Sequence, residues 1–255
     1  MDRPLLSLIL LCLATWSPSS VVAVQLPNNQ PFSDGTVEAR NLDNTDLEQR
    51  REDAYALALD NLAAVLERYP EAESVIPSLQ AQPALAYEMF DRCTHYQPDL
   101  QYRLGSRSED WDTREALLHY HNIPEKVKQT HIYTIEPDKS LIVLTCGSTP
   151  SWTAYANYIY DKSHGSPKIM PLTFPTYDSE NEQVVQGESN LSHGSQGYDA
   201  ASRTLTLSYQ NDITGSCGYQ ATYRLENDAL TLTEFREQKI CGEARSPDEF
   251  PQVYP

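Results

Sequence analysis

The densest run of chemically capable side chains is Trp152-Thr153-Ala154-Tyr155-Ala156-Asn157-Tyr158-Ile159-Tyr160. Read as a strand, it puts Trp152, Ala154, Ala156, Tyr158 and Tyr160 on one face and Tyr155 and Ile159 on the other. Turned to solvent, such an aromatic face binds glycans or proteins, because the rings bury area at low entropic cost while their hydroxyls stay hydrogen-bonded. Aromatic residues more often fill the core of a sheet, and in a chain with 16 Tyr that reading is preferred. Trp152, Tyr155, Tyr158 and Tyr160 are therefore the candidate binding residues, on condition that the strand faces solvent.

The titratable residues form no catalytic constellation. His119 and His121 flank Tyr120; on a helix they point about 200° apart and cannot share a metal, whereas on a strand they would face the same way. His95 follows Asp91 by one helical turn, a spacing that suits a surface ion pair. Glu234 with Glu237, or Asp110 with Asp112, could be nominated for glycoside hydrolysis. Among 36 acidic residues such pairs arise by chance, and without spatial convergence they carry no weight. There is no His-Glu-x-x-His, no Gly-x-Ser-x-Gly and no phosphate-cradling glycine loop, in keeping with only 10 Gly. No catalytic residue, metal or cofactor is assigned.

Cysteine is the other reactive type. Beyond Cys12 the chain carries Cys93, Cys146, Cys217 and Cys241. In an exported chain an even count favours disulfides, here with three possible connectivities. Sequential pairing, 93–146 and 217–241, closes one local unit with each bond. In the loop-entropy model each contributes about 3–4 kcal/mol. A reactive thiol is disfavoured by export and by the lack of a Cys-x-x-Cys motif.

The elements that must position these residues fall into two blocks. Thr45-Asp46-Leu47-Glu48 has capping-box spacing. Behind it Leu47, Ala54, Ala58, Leu62, Val65 and Tyr69 recur near helical spacing, with Leu59 and Leu66 widening the stripe, until Pro70 ends the helix. Ala81 to about Cys93 is a second helix. A third starts at the capping box Asp112-Thr113-Arg114-Glu115 and runs to about His121, before Pro124. Thereafter the period becomes two, with strands at His131–Ile135, Ser140–Cys146, Trp152–Tyr160, Lys168–Phe174, Arg203–Tyr209, Cys217–Leu225 and Leu230–Cys241. Helices first and strands second describe an α+β fold, N-terminal helices packed on a C-terminal antiparallel meander stapled by disulfides. The expected segments are 1–23 signal, 24–44 leader, 45–125 helical and 126–255 β.

The final hairpin allows a register count. With Glu226 to Ala229 as the turn, Leu225 faces Leu230 and Tyr223 faces Leu232. The apolar phase then slips between Leu232 and Phe235, which calls for a bulge near Thr233-Glu234. With one bulge Cys217 lies opposite Lys239, two residues short of Cys241. A Cys217–Cys241 bond therefore needs a second irregularity or the loosened end of the hairpin.

Leu5 to Leu13 is a short apolar run after Arg3, and Val21-Val22-Ala23 offers small residues for cleavage after Ala23. The run is well below the ~20 residues a spanning helix needs, although a retained anchor is the alternative. Cys12 lacks the small preceding residues of a lipid-modified cysteine and is read as part of the signal. A periplasmic or secreted location follows, with no stable transmembrane anchor. The balance of 19 Lys+Arg against 36 Asp+Glu, a net charge of −17, repels nucleic-acid phosphates and anionic lipid. It favours solubility and attraction to a basic partner. No Asp spacing suits a calcium loop.

Several fragments taken in order resemble an uncharacterised family of bacterial exported proteins, the domain of unknown function numbered eleven seventy-six. Leu144-Thr145-Cys146-Gly147 and then Trp152-Thr153-Ala154-Tyr155-Ala156-Asn157 are similar to its Cys…Ala-Tyr-Asn region, with one extra residue before Asn157. Gly215-Ser216-Cys217-Gly218 leads to Tyr223, where that family tends to have tryptophan. Leu230-Thr231-Leu232-Thr233-Glu234, Cys241-Gly242 and Phe250-Pro251-Gln252-Val253-Tyr254 resemble its C-terminal signature. The similarity spans about residues 140–255, and basic residues of the family are replaced by Asn211-Asp212-Ile213-Thr214. The family brings no established activity.

The expected function is a non-enzymatic binding or interaction protein of the bacterial envelope, its partner a protein or glycan. The alternatives are an envelope-polymer hydrolase built on acidic residues and an inhibitor of a basic secreted enzyme such as a lysozyme.

Overall fold

A computed structural model describes residues 44–93, 120, 122–148, 153–211, 216–242 and 245–255. All of them fall in one compact unit, Glu38–Pro255. The signal segment with Cys12, residues 24–43 of the leader, His95, Asp110, the capping box at Asp112, His119, His121 and Trp152 lie outside the described residues. No described helix is long and apolar enough to cross a membrane.

The helical block is α1 (Asn44–Leu66), a 3-10 turn (Pro70–Ser74), α2 (Ile76–Ala81) and α3 (Pro83–Cys93). Residues 122–127 are also helical, so Pro124 sits within a helix instead of beyond its end. Ala54, Ala58, Leu62 and Val65 of α1 are buried at the spacing that points one stripe at the sheet. Tyr55 joins them, its hydroxyl donating to Asp91 at 2.7 Å.

The sheet is antiparallel and runs β1 (His131–Glu136), β2 (Lys139–Ser148), β3 (Thr153–Asp161), β7 (Leu191–Asp199), β8 (Thr204–Gln210), β9 (Gly218–Glu226), β10 (Ala229–Gln238), β11 (Gln252–Tyr254). β4 (Lys168–Pro171) also pairs with β3. β5 (Thr176–Asp178) and β6 (Gln183–Val185) form a separate hairpin. The fold is therefore α+β with the sheet dominant.

β2 and β3 are buried on both faces, which explains their long apolar runs. Ile132, Ile142, Leu144, Ala154, Ala156, Tyr158 and Tyr160 pack against the helices. Leu141, Val143 and Ile159 face the other way, against Leu205, Leu207, Ala221, Tyr223, Leu225, Leu230, Leu232 and Phe235 of β8 to β10. The sheet thus curls so that its second half covers the inner face of its first half.

The bend is built at β7. Leu191 to Gly194 pair with β3, and Ser195 to Asp199 pair with β8. Gly194 at the corner has φ +115, and a Cβ there would lie 2.0 Å from the Ser208 carbonyl oxygen. Only glycine fits. Beside the corner Asn157 fills the seam where β4 and β7 share one edge of β3. Its amide donates to Ser192 Oγ at 3.0 Å, and its Oδ1 accepts from Gln196 at 2.6 Å. Asn190 donates to its carbonyl at 3.2 Å. These buried amides satisfy one another, as a polar group in a core must.

The hairpin tips meet at one end. Lys139, in the β1–β2 turn, lies 2.6 Å from Asp228 and 3.6 Å from Asp161. Arg203 lies 3.4 Å from Glu136. At the β9–β10 turn Asn227 and Asp228 have φ +52 and +62, the positive pair a two-residue hairpin turn requires.

Cys93 and Cys146 form one disulfide and Cys217 and Cys241 the other. The first joins α3 to β2, so it locks the helices to the sheet. The second follows the register count closely. Leu225 pairs with Leu230 and Tyr223 with Leu232, the register slips between Leu232 and Glu234, and Gly218 pairs with Gln238. Cys241 lies beyond the end of β10, and the bond closes the loosened end of the hairpin.

Candidate functional site

The candidate residues of β3 divide between the two faces as their alternation implies, but neither face is a surface. Tyr158 and Tyr160 are each 1% exposed, among the helices. The Tyr158 hydroxyl donates to the Met89 carbonyl at 3.0 Å, and that of Tyr160 to the Ser74 carbonyl at 3.4 Å. They tether the helical layer, and burial raises the Tyr158 pKa. Tyr155 is half-buried on the opposite, inner face. The structure therefore does not bring Tyr155, Tyr158 and Tyr160 into one solvent-facing patch. The physical reason is that strands in the middle of a two-faced core have no free side.

The structure assembles a different aromatic group at the disulfide end of β8 to β10. Tyr209 and Tyr219 are cross-strand partners with ring centroids 5.6 Å apart. Tyr219 stacks on Phe235 at 5.5 Å. Phe235 lies 6.1 Å from Tyr177 of β5, which lies 5.3 Å from Tyr254 of β11. The five rings form a continuous row, Tyr254-Tyr177-Phe235-Tyr219-Tyr209. Phe235 is buried, and the four tyrosines are half-buried.

Backbone geometry makes this row possible. Gly218 has φ +148, and a Cβ on it would lie 1.9 Å from the Tyr209 carbonyl oxygen, so β9 can start hard against β8. The bulge at Thr233 rotates Phe235 and Glu237 onto the inner face. The β5–β6 hairpin is held over β10 by Lys239, whose Nζ donates to Ser179 Oγ at 2.7 Å.

Hydroxyl pairing does not separate these tyrosines from those of the interior, where Tyr198 Oη is buried without a hydrogen bond. Tyr55, Tyr69, Tyr158 and Tyr160 all have partners; Tyr69, for instance, lies 2.5 Å from His131 Nδ1. Among the described residues the hydroxyls of Tyr177, Tyr209, Tyr219 and Tyr254 have no hydrogen bond within the protein. Burial and the neighbouring Tyr209 push the Tyr219 pKa up to about 12, so it stays a neutral donor and acceptor. Such a row offers apolar ring surface and free hydroxyls together.

Glu237 is the cross-strand partner of Tyr219 and shares its face. Its Oε2 is enclosed by protein without a hydrogen bond and is ion-paired with Lys239 Nζ at 3.6 Å. Glu234 points to the opposite face, paired with Arg236. The Glu234–Glu237 pair is therefore not brought together.

The other titratable groups serve local structure. Asp161, Asp178, Asp199 and Asp248 all have lowered pKa values, caused first by side-chain hydrogen bonds from Ser163, Asn181, Ser202 and Ser246 respectively. Among the described residues no group of three His, Cys, Asp or Glu side chains could hold a metal ion.

The rim tyrosines escaped sequence reasoning because they are spread from residue 177 to 254 on four strands. Only Tyr209 and Tyr219 carried a local signal, the alternation of β8 and β9. No family model, curated protein or solved structure matches this chain.

Proposed function

We propose that this chain is an exported, non-enzymatic binding protein of the bacterial envelope, and that its ligand is a glycan seated on the aromatic row from Tyr254 to Tyr209. The observation that carries this reading is the continuous row of rings from Tyr254 to Tyr209, in which four half-buried tyrosines flank one buried phenylalanine. A sugar matches both parts of the surface, its C–H faces covering ring and its hydroxyls pairing with phenols. Export rests on the N-terminal apolar run and is supported by two disulfides. Membership of the domain-of-unknown-function family numbered eleven seventy-six belongs to the same proposal. Its Asn157 motif would then mark the seam of the sheet, and its C-terminal motif the strand that carries Tyr254.

The test is calorimetric titration of the oxidised chain with oligosaccharides of envelope type. Tyr177→Ala and Tyr254→Ala should each weaken binding about ten-fold, the weight of an aromatic anchor. Tyr158→Phe, in the core, should leave affinity unchanged. Equal affinity in all four proteins, or none in any, would remove the reading.

The net charge of −17 favours a second reading, inhibition of a basic secreted enzyme such as a lysozyme. That complex would weaken steeply with added salt. Binding of a neutral glycan would not.

A further inference from the structure

The central ring of the aromatic row, Phe235, is only 5% exposed. One of the rings against it, Tyr177, does not belong to the large sheet but to β5. We infer that the β5–β6 hairpin is a lid over the row, latched by Ser179 and Lys239, and that it lifts to admit the ligand. The inference concerns access to the proposed glycan site and rests on that reading.

The hairpin is built to move as a unit. Among the described residues β5 and β6 pair only with each other. Each strand has three residues, and a two-stranded hairpin of that size is marginal by itself. Its turn is self-contained: Asp178 accepts from the backbone N–H groups of Glu180 and Asn181 at 3.0 and 3.2 Å, and from the Asn181 amide at 2.7 Å. Its base is fixed to the core. Phe174 packs edge-on against Tyr223, with centroids 5.4 Å apart. Gln186 donates to Thr173 Oγ1 at 2.9 Å. Gly187 lies so close to Phe174 that a Cβ on it would be 2.2 Å from the Phe174 carbonyl oxygen. A pinned base and a self-supporting tip describe a hinged segment.

Two contacts hold the hairpin down beyond its base. Tyr177 rests on Phe235 and Tyr254, and Lys239 Nζ donates to Ser179 Oγ at 2.7 Å. The Lys239 side chain is 59% accessible, so water can replace the latch at small cost. Ring spacing makes the lift necessary. A sugar between Tyr177 and Phe235 needs about 8 Å, two van der Waals contacts of about 4 Å each. The centroids are 6.1 Å apart. Lifting Tyr177 uncovers Phe235, parts Ser179 from Lys239 and lets Tyr177 settle on the far side of the sugar. The latched state therefore competes with binding.

The test uses Ser179→Ala, which removes the latch and leaves Lys239 beside Glu237. Ser202→Ala, which removes a hydroxyl from the β7–β8 turn away from the row, is the control. Two readouts are taken on the oxidised full chain: amide exchange of residues 174–187 without ligand, and calorimetric affinity for the tetrasaccharide of N-acetylglucosamine. Ser179→Ala should speed that exchange about three-fold and tighten binding by a similar factor, because both report the open population. Ser202→Ala should change neither. Faster exchange with unchanged or weaker binding would overturn the lid and leave β5–β6 as a fixed wall of a glycan site. Unchanged exchange in Ser179→Ala would overturn the latch while native binding keeps the glycan reading. No binding by any of the three proteins would overturn the glycan reading and the lid with it.

Discussion

Replacement of Gly194 by alanine tests the account of how the sheet bends. The residue sits at φ +115, a conformation that costs a side-chain-bearing residue about 1–3 kcal/mol. The added Cβ would lie 2.0 Å from the Ser208 carbonyl oxygen and 2.8 Å from its carbon. Real contacts start near 3.0 Å, so backbone must retreat by about 1 Å. That retreat breaks into the Ser195–Ser208 pairing and strips hydrogen bonds worth about 1 kcal/mol each. The expected loss is about 3–5 kcal/mol, a large part of the 5–15 kcal/mol typical of a domain. Urea unfolding of the oxidised protein, followed by near-ultraviolet circular dichroism, measures it. Gly197→Ala is the matched control, on the same strand but with nothing within 4 Å of its Cβ, and should cost less than about 1 kcal/mol. Equal midpoints for the two variants would refute the corner argument.

The remaining predictions concern the seam, the disulfides and pH. Asn157→Ala removes the acceptor for Gln196 and the donor to Ser192, leaving buried amide groups unpaired; a loss of about 2–4 kcal/mol in the same urea assay is expected. Under graded reductant the Cys217–Cys241 bond should open first, because Cys241 is exposed, whereas Cys93 and Cys146 are both buried. Peptide mapping after alkylation reads the order, and simultaneous reduction would contradict it. His131 has a lowered pKa, from burial and then from the Arg68 guanidinium. The unfolded state therefore binds more protons near pH 6, and stability should fall as pH drops below about 6.5. His131→Gln should reduce that slope, with the remainder coming from His193, whose pKa burial also lowers, while the lowered carboxylate Asp161 extends acid loss to lower pH.

The hairpin of β9 and β10 was legible in the sequence down to its bulge, because alternation of large apolar residues fixes register where one face is buried. β7 was not legible. Leu191-Ser192-His193-Gly194-Ser195-Gln196-Gly197-Tyr198-Asp199 lacks an apolar period, since its inner positions hold the Ser192 hydroxyl and the Gln196 amide that bond Asn157, and its corner needs glycine. Missing β7 hid the curl of the sheet. The face containing Tyr158 and Tyr160 could be read from periodicity, but alternation cannot tell a solvent face from one covered by helices. β5, β6 and β11 have three residues each, too few to show any period. The aromatic rim depends on those short strands, so it emerges only from tertiary register.

Hydrogen exchange of the oxidised chain with and without a saturating envelope-type oligosaccharide tests the central claim most directly. Protection should rise at the start of β9, the end of β10, β5 and β11, where Tyr219, Phe235, Tyr177 and Tyr254 lie. β1 and the helical layer around Tyr158 should be unchanged. Protection confined to the helices, or no change anywhere at saturation, would contradict the placement of the site.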